Sequence, residues 1–210
     1  MRIAQVAPLA ESVPPKLYGG TERVISWLVE ELVQLGHEVT LLASGDSATS
    51  ATLVPVWPRA LRLGRPRCDP AAAHTALLER IAQLAPQFDV IHCHTDWAHL
   101  PLLTRLGVPF LTTLHNRLDT PGLREVVRQF PDAPFISISN DQRTPLSEVN
   151  WLGTIGRGRI SSQPRCSNRF AVSRAGGNRG LTCVVGIASF HLAARAWAID
   201  LPCLRTCPIV

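Results

Sequence analysis

The chain has 210 residues, of which 46% are hydrophobic. That suits one domain or a domain and a half, with ample apolar residues for a core. Its net charge of +5 conceals a break. Residues 1–155 carry thirteen Arg or Lys against fifteen Asp or Glu, a net of −2, whereas residues 156–210 carry eight Arg against the single acid Asp200, a net of +7. A basic tail can bind nucleic acid or make peripheral contact with an anionic membrane. Here its arginines are scattered among Gly, Ser and Cys, without aromatic interleaving or helical spacing, which argues against nucleic acid. The six cysteines contain no CxxC pair, and no leader-like segment opens the chain, so reduced thiols and a cytoplasmic location are expected.

In chain order, residues 2–7 (RIAQVA) read as a short apolar strand. Gly19 and Gly20 then form a small loop. Thr21 is placed to cap a helix, with Glu22 in its first turn at the positive end of the dipole. Val24, Leu28, Leu32 and Leu35, joined by Ile25 and Val29, give that helix an apolar face. Gly36 is its natural stop, and residues 39–43 are a buried strand. This is a right-handed βαβ unit with its loop at the strand's carboxyl end. The spacing alone leaves two readings of the loop. Either it offers backbone N–H groups to an anion, or it only connects strand to helix.

Residues 52–57 predict an edge strand, because Pro55 interrupts them. A basic connector over 59–70 leads to a helix over 71–85. Strands are predicted at 88–94, 109–115, 134–139 and 151–155. Between them lie helices at 97–107, near 121–129, and at 140–146, where Pro145 breaks the last one. Strands alternating with helices predict an α/β fold, a Rossmann-like parallel sheet with helices on both faces. Residues 181–194 are apolar but too short for a confident membrane span.

Loops that follow parallel strands gather at the carboxyl edge of the sheet, where open α/β sheets bind ligands. They contain Gly19 and Gly20; His94, Thr95 and Asp96; His115 and Asn116; and Ser137, Ser139 and Arg143. Backbone donors, imidazoles, hydroxyls and a guanidinium suit a polyhydroxylated or phosphorylated ligand. The run IHCHTDWAH offers another chemistry. His92, His94 and Asp96 resemble the HxHxDH metal-ligand run of metallo-β-lactamase-type hydrolases, and along a strand His92 and His94 share a face. Trp97 stands where the last histidine belongs, and a βαβ pattern precedes the run where paired antiparallel strands would be needed. Neither GxGxxG after the first strand nor GxxxxGK[ST] is present, which weighs against a nicotinamide enzyme and a P-loop NTPase.

Taken together and in order, MRIAQVAP, YGGTERVISWLVEELVQLGHEVTLLASGDS, FDVIHCHTDW, LGVPFLTTLHN, FISISNDQR and NWLGTI resemble the N-terminal domain of family 4 glycosyltransferases. The resemblance runs from residue 1 to about residue 155. It implies one Rossmann-like half of a GT-B enzyme, in which two such domains face each other across a cleft. Such enzymes, here of hexosyltransferase type, move a sugar from a nucleotide sugar to an acceptor with retained anomeric configuration. The nucleotide sugar is a co-substrate, and neither cofactor nor metal is expected. The acceptor would be a carbohydrate, a lipid or a small molecule. By the resemblance, Gly19 and Gly20 approach the donor diphosphate and His115 lies near the transferred sugar as the catalytic candidate. His94, Ser139 and Arg143 line the acceptor side.

The departure from the family begins at Gly156-Arg157-Gly158, where a histidine- or asparagine-glycine turn and then a second, nucleotide-holding domain belong. Nothing after it resembles that domain. Residues 156–210 are therefore expected to be an atypical, poorly ordered tail, of truncated or frameshifted appearance, and the C-terminal half to be missing. The alternatives are a non-catalytic sugar- or nucleotide-binding remnant and, third, a metal-dependent hydrolase using His92, His94 and Asp96.

Overall fold

The computed structural model describes residues 1–155. The expectations for residues 156–210, including the poorly ordered tail, lie outside the described residues. Strands β1 (Arg2–Val6), β2 (Glu38–Ser44), β3 (Thr52–Trp57), β4 (Val90–Cys93), β5 (Phe110–Leu114), β6 (Phe135–Ser137) and β7 (Trp151–Thr154) form one sheet. Its order is β3-β2-β1-β4-β5-β6-β7 and every pairing is parallel. Helices α1 (Gly20–Gln34), α2 (Pro70–Leu84), α3 (Leu100–Leu106) and α4 (Leu123–Val127) make the crossovers, with 3₁₀ turns at Ala85–Gln87 and Asp141–Leu146. The α/β, Rossmann-like reading holds.

Two cores form because successive strand residues point to opposite faces. On one face Ile25, Val29 and Leu32 of α1 pack with Ile3, Val39, Leu41, Val90, Leu111 and Ile136. On the other, Leu77 and Ile81 of α2, Leu100 and Leu103 of α3, and Leu123 and Val127 of α4 pack with Ala4, Val6, Leu42, Ile91 and Phe135. Helices thus cover both faces. β3 is an edge strand, as Pro55 requires.

Local chemistry explains the element ends. α1 stops in a Schellman motif: the Gly36 N–H reaches the Val33 carbonyl at 2.9 Å and the His37 N–H the Leu32 carbonyl at 3.1 Å, with Gly36 at φ 81°. Asp69 caps α2 by accepting from the Ala71 N–H at 2.9 Å, and Pro70 begins the helix. Three expectations need correction. Thr21 is not the cap of α1; the cap position is Gly19 and no side chain fills it. Leu35 is half exposed, since it sits beyond the last turn and rotates off the buried stripe. The helix expected over 97–107 is Leu100–Leu106, because residues 95–99 are consumed by a turn that buries His99. Among the described residues no helix is long and apolar enough to cross a membrane.

Candidate functional site

β2 lies on one side of β1 and β4 on the other, so the winding reverses at β1. Loops leaving the carboxyl ends of β1 and β4 therefore diverge, and open α/β sheets place ligands in the crevice between them. The residues singled out from the sequence sit along this edge, at β1, β4, β5 and β6, which are consecutive in the sheet.

The loop after β1 spans residues 7–19 and ends on the glycine pair. Gly19 is buried; a Cβ there would lie 2.7 Å from Pro15 Cβ and 2.7 Å from Glu22 Oε2. Gly20 is exposed, with open space where a Cβ would go. The two glycines thus do different things: Gly19 lets the loop close on Pro15, and Gly20 leaves the helix entrance bare. No side chain at the cap position fills the helix entrance, although the buried Glu22 carboxyl accepts from its own first-turn N–H. Beneath the loop lie two buried carboxyls. Glu11 Oε1 meets Arg62 Nη1 at 3.0 Å, and the same guanidinium donates to the Tyr18 carbonyl at 3.1 Å, tying the connector to the loop. Burial, helped by the nearby Glu11, pushes the Glu22 carboxyl above the usual carboxylate range. Gly19→Ala should cost roughly 1–3 kcal/mol, the usual range for overpacking. Gly20→Ala should stay within about 0.5 kcal/mol of the parent. Urea unfolding of the two variants checks this, and equal midpoints would show that Gly19 is not a packing glycine.

His94 begins the loop after β4. It is almost fully buried, and both ring nitrogens are taken: Nε2 lies 3.0 Å from Gln5 Oε1 and Nδ1 2.9 Å from His115 Nε2. It does not line the strand-edge loops directly; it stands behind His115, which follows β5 and is half-buried. His92 is buried beside it, its ring centroid 4.1 Å from that of His94, with Nε2 2.7 Å from Thr113 Oγ1. On the opposite face His99 is bracketed by Thr95 Oγ1 at 3.1 Å and Thr112 Oγ1 at 2.7 Å. Burial drives all three rings toward the neutral form, His92 and His99 to a pKa of about 3.

The remaining contacts lock the loops to each other. Asn116 Nδ2 donates to both carboxylate oxygens of Asp96, at 2.9 and 3.1 Å. Asp96 adopts φ 51°, a left-handed conformation that Asp tolerates better than most residues. Gln142 uses its whole amide. Nε2 donates to the carbonyls of Leu114 at 2.9 Å and Asn116 at 2.7 Å, one on each side of His115, while Oε1 accepts from the Ile138 N–H at 2.8 Å. Ser139 Oγ accepts from the Gln142 N–H at 3.1 Å, so this hydroxyl caps the turn that holds Gln142. Arg143 Nε donates to Ser137 Oγ at 2.7 Å and its guanidinium lies 5.2 Å from the Trp151 ring centre, bound to the β6–β7 side of the sheet.

Of the expected site residues, the structure joins His94 to His115 directly and links Ser139 to the His115 loop through Gln142. Arg143 is tied elsewhere, to Ser137 and Trp151. The hydrolase reading of His92, His94 and Asp96 meets a contrary fold: the strands around the run are all parallel, and Asp96 turns to Asn116. Among the described residues no three His, Cys, Asp or Glu side chains are grouped to hold a metal. Sequence reasoning missed Gln5 and Gln142. The only signal for Gln5 was an amide in an otherwise apolar strand.

A profile described as Glycosyltransferase Family 4 matches residues 18–154. The comparison with curated proteins finds no match. Among solved structures, the chain is similar in fold to sucrose-phosphate synthase from Thermosynechococcus elongatus, with TM-score 0.54 and 14% identity, covering 75% of this chain and 48% of that one. It also matches AviGT4, a glycosyltransferase involved in avilamycin A biosynthesis, at TM-score 0.44 and 25% identity, covering 71% of this chain and 41% of that one. A glycosyltransferase from Rickettsia africae matches at TM-score 0.48 and 16% identity, covering 75% of this chain and 43% of that one. The chain spans less than half the length of each. A seven-stranded parallel sheet whose strand order reverses at β1, and a family match over well more than half of the sequence, lead to one conclusion: the chain belongs to Glycosyltransferase Family 4.

Proposed function

We propose that this chain is the acceptor-side half of a retaining glycosyltransferase of hexosyltransferase type, acting on a nucleotide-sugar donor without a metal. The observation that carries the reading is the family match over residues 18–154. It fits a domain whose ligand edge is built and whose opposing, nucleotide-holding half is elsewhere. The reading puts the domain boundary at about residue 155; the family match ends at residue 154 and the last described strand at Thr154.

Chemically, the bare entrance of α1 at Gly20 would face the donor diphosphate, and its N–H dipoles would stabilise negative charge building on the leaving phosphate. His115, braced from behind by His94 and on both flanking carbonyls by Gln142, would meet the transferred sugar. Ser139 and Arg143, on the β6 side, would border the acceptor, which is a carbohydrate, a lipid or a small molecule. A second reading is a sugar- or nucleotide-binding remnant with the same site and no turnover; the two part on whether a partner chain supplies the other half.

Titrating ¹⁵N-labelled chain with inorganic pyrophosphate and then with UDP-, GDP- and ADP-sugars tests the site. The Gly19 and Gly20 amides should shift with pyrophosphate, and His115 should respond only when a sugar is attached. His115→Ala should cost about 1–3 kcal/mol, because it leaves the buried His94 Nδ1 without its partner, and should abolish the sugar response. Silence of both the loop and the ring toward every nucleotide sugar would overturn the reading.

A further inference from the structure

Gln5 is a fully buried amide in the central strand, flanked by Ala4 and Val6, which are also buried. An apolar side chain would pack there at lower cost, since a buried amide loses its hydration and Gln5 Nε2 has no hydrogen-bond partner. What the amide does make is one bond, from Oε1 to His94 Nε2. His94 in turn reaches His115. The three side chains form a line from the middle of the sheet to the crevice.

We propose that Gln5, acting through His94, fixes which nitrogen of His115 carries the proton. The structure turns the Gln5 amide so that Oε1 faces His94, and an amide oxygen can only accept, so in this orientation the 3.0 Å contact carries a proton on His94 Nε2. Buried among other imidazoles and away from any carboxylate partner, His94 is neutral and has that one proton to give. Its Nδ1 is then a bare lone pair. The 2.9 Å contact between His94 Nδ1 and His115 Nε2 is a hydrogen bond only if His115 Nε2 donates. A neutral His115 therefore keeps its proton on Nε2, pointing inward, and its Nδ1 is the acceptor. Orienting partners behind a functional imidazole select its tautomer in this way elsewhere in protein chemistry. Gln5 is thus a positioning residue, well removed in sequence from the group it controls. That this matters for sugar recognition rests on the reading of His115 given above; the tautomer itself does not.

Long-range ¹H–¹⁵N correlation spectra of the full chain near neutral pH report the protonation of each imidazole nitrogen. His115→Gln and His94→Gln spectra assign the signals. In the parent chain His115 should show a protonated Nε2 and a lone-pair Nδ1, and His94 the same pattern. Gln5→Met removes the acceptor while keeping the volume; it should turn the single His115 form into a mixture of both tautomers. Thr113→Val disturbs the same buried layer through His92 and should leave His115 unchanged. A parent His115 with its proton on Nδ1 would overturn the proposal even if Gln5→Met failed to fold. So would a His115 pattern indifferent to Gln5→Met. Because the spectra are recorded without ligand, failure here is separate from failure to bind a nucleotide sugar.

Discussion

Lowering the pH from about 7.5 to about 5 should remove about 4 kcal/mol of folding stability through His92 and His99 alone. Both rings are buried and held neutral, with a folded pKa of about 3 caused chiefly by loss of solvent. In the unfolded chain each titrates near its ordinary 6.5. Between those values the unfolded state binds more protons, so stability is fully present above the unfolded pKa and falls as the pH drops. Each ring contributes about 1.4 kcal/mol per pH unit across that window. His94 acts in the same direction, its pKa also lowered by burial. The titratable groups bearing on the three rings are one another, His115 and His74, so no carboxylate offsets the charging of any of them. Glu22 and Asp96, both raised by burial, pull the other way: their protonated forms favour the fold, and their contribution appears as the pH falls through their folded values. A loss of this size is a large part of a typical domain's 5–15 kcal/mol. Urea denaturation at a series of pH values reads it directly. A stability flat between about pH 7 and about pH 5 would mean that the imidazoles are hydrated and titrate normally.

The purified chain, incubated with UDP-, GDP- and ADP-sugars and candidate acceptors, should release no nucleotide above the blank. Catalysis in a two-domain cleft depends on aligning donor with acceptor and on excluding water as the halves close, an orientation effect of roughly 7–11 kcal/mol, or about 10⁵- to 10⁸-fold in rate. On the proposed reading this chain supplies the loop at Gly19 and Gly20 and the His115 ring, while nothing among the described residues faces them across the crevice to hold a nucleotide. Turnover by the chain alone, free of contaminating enzyme and lost in His115→Ala, would mean that residues 156–210 build a donor site.

The sequence by itself determined the layering of this protein. Alternating apolar strands and amphipathic helices are local patterns, and once they alternate, chirality and burial leave a parallel sheet with its loops at one edge. Pro55 marked the edge strand because a residue without an N–H weakens any ladder it joins, and Gly36 marked the end of α1 because the Schellman turn needs a left-handed residue. The histidine-bearing loops were legible for the same reason: each follows a strand.

What those histidines do was decided only in three dimensions. His94 and His115 are 21 residues apart, and His94 and Gln5 are 89 apart. No spacing rule reaches across three strands, so the sequence placed His94 at the surface of the site where the fold puts it behind His115. Thr21 looked like a cap, but with Gly19 packed against Pro15 and Glu22 the helix starts two residues earlier, with no side chain at its cap position. Gln142 is an ordinary polar residue in sequence; the fold gives it the carbonyls of Leu114 and Asn116, the residues on either side of His115. Backbone periodicity is a property of neighbours in the chain, whereas the state of a buried imidazole is a property of whatever the sheet brings beside it.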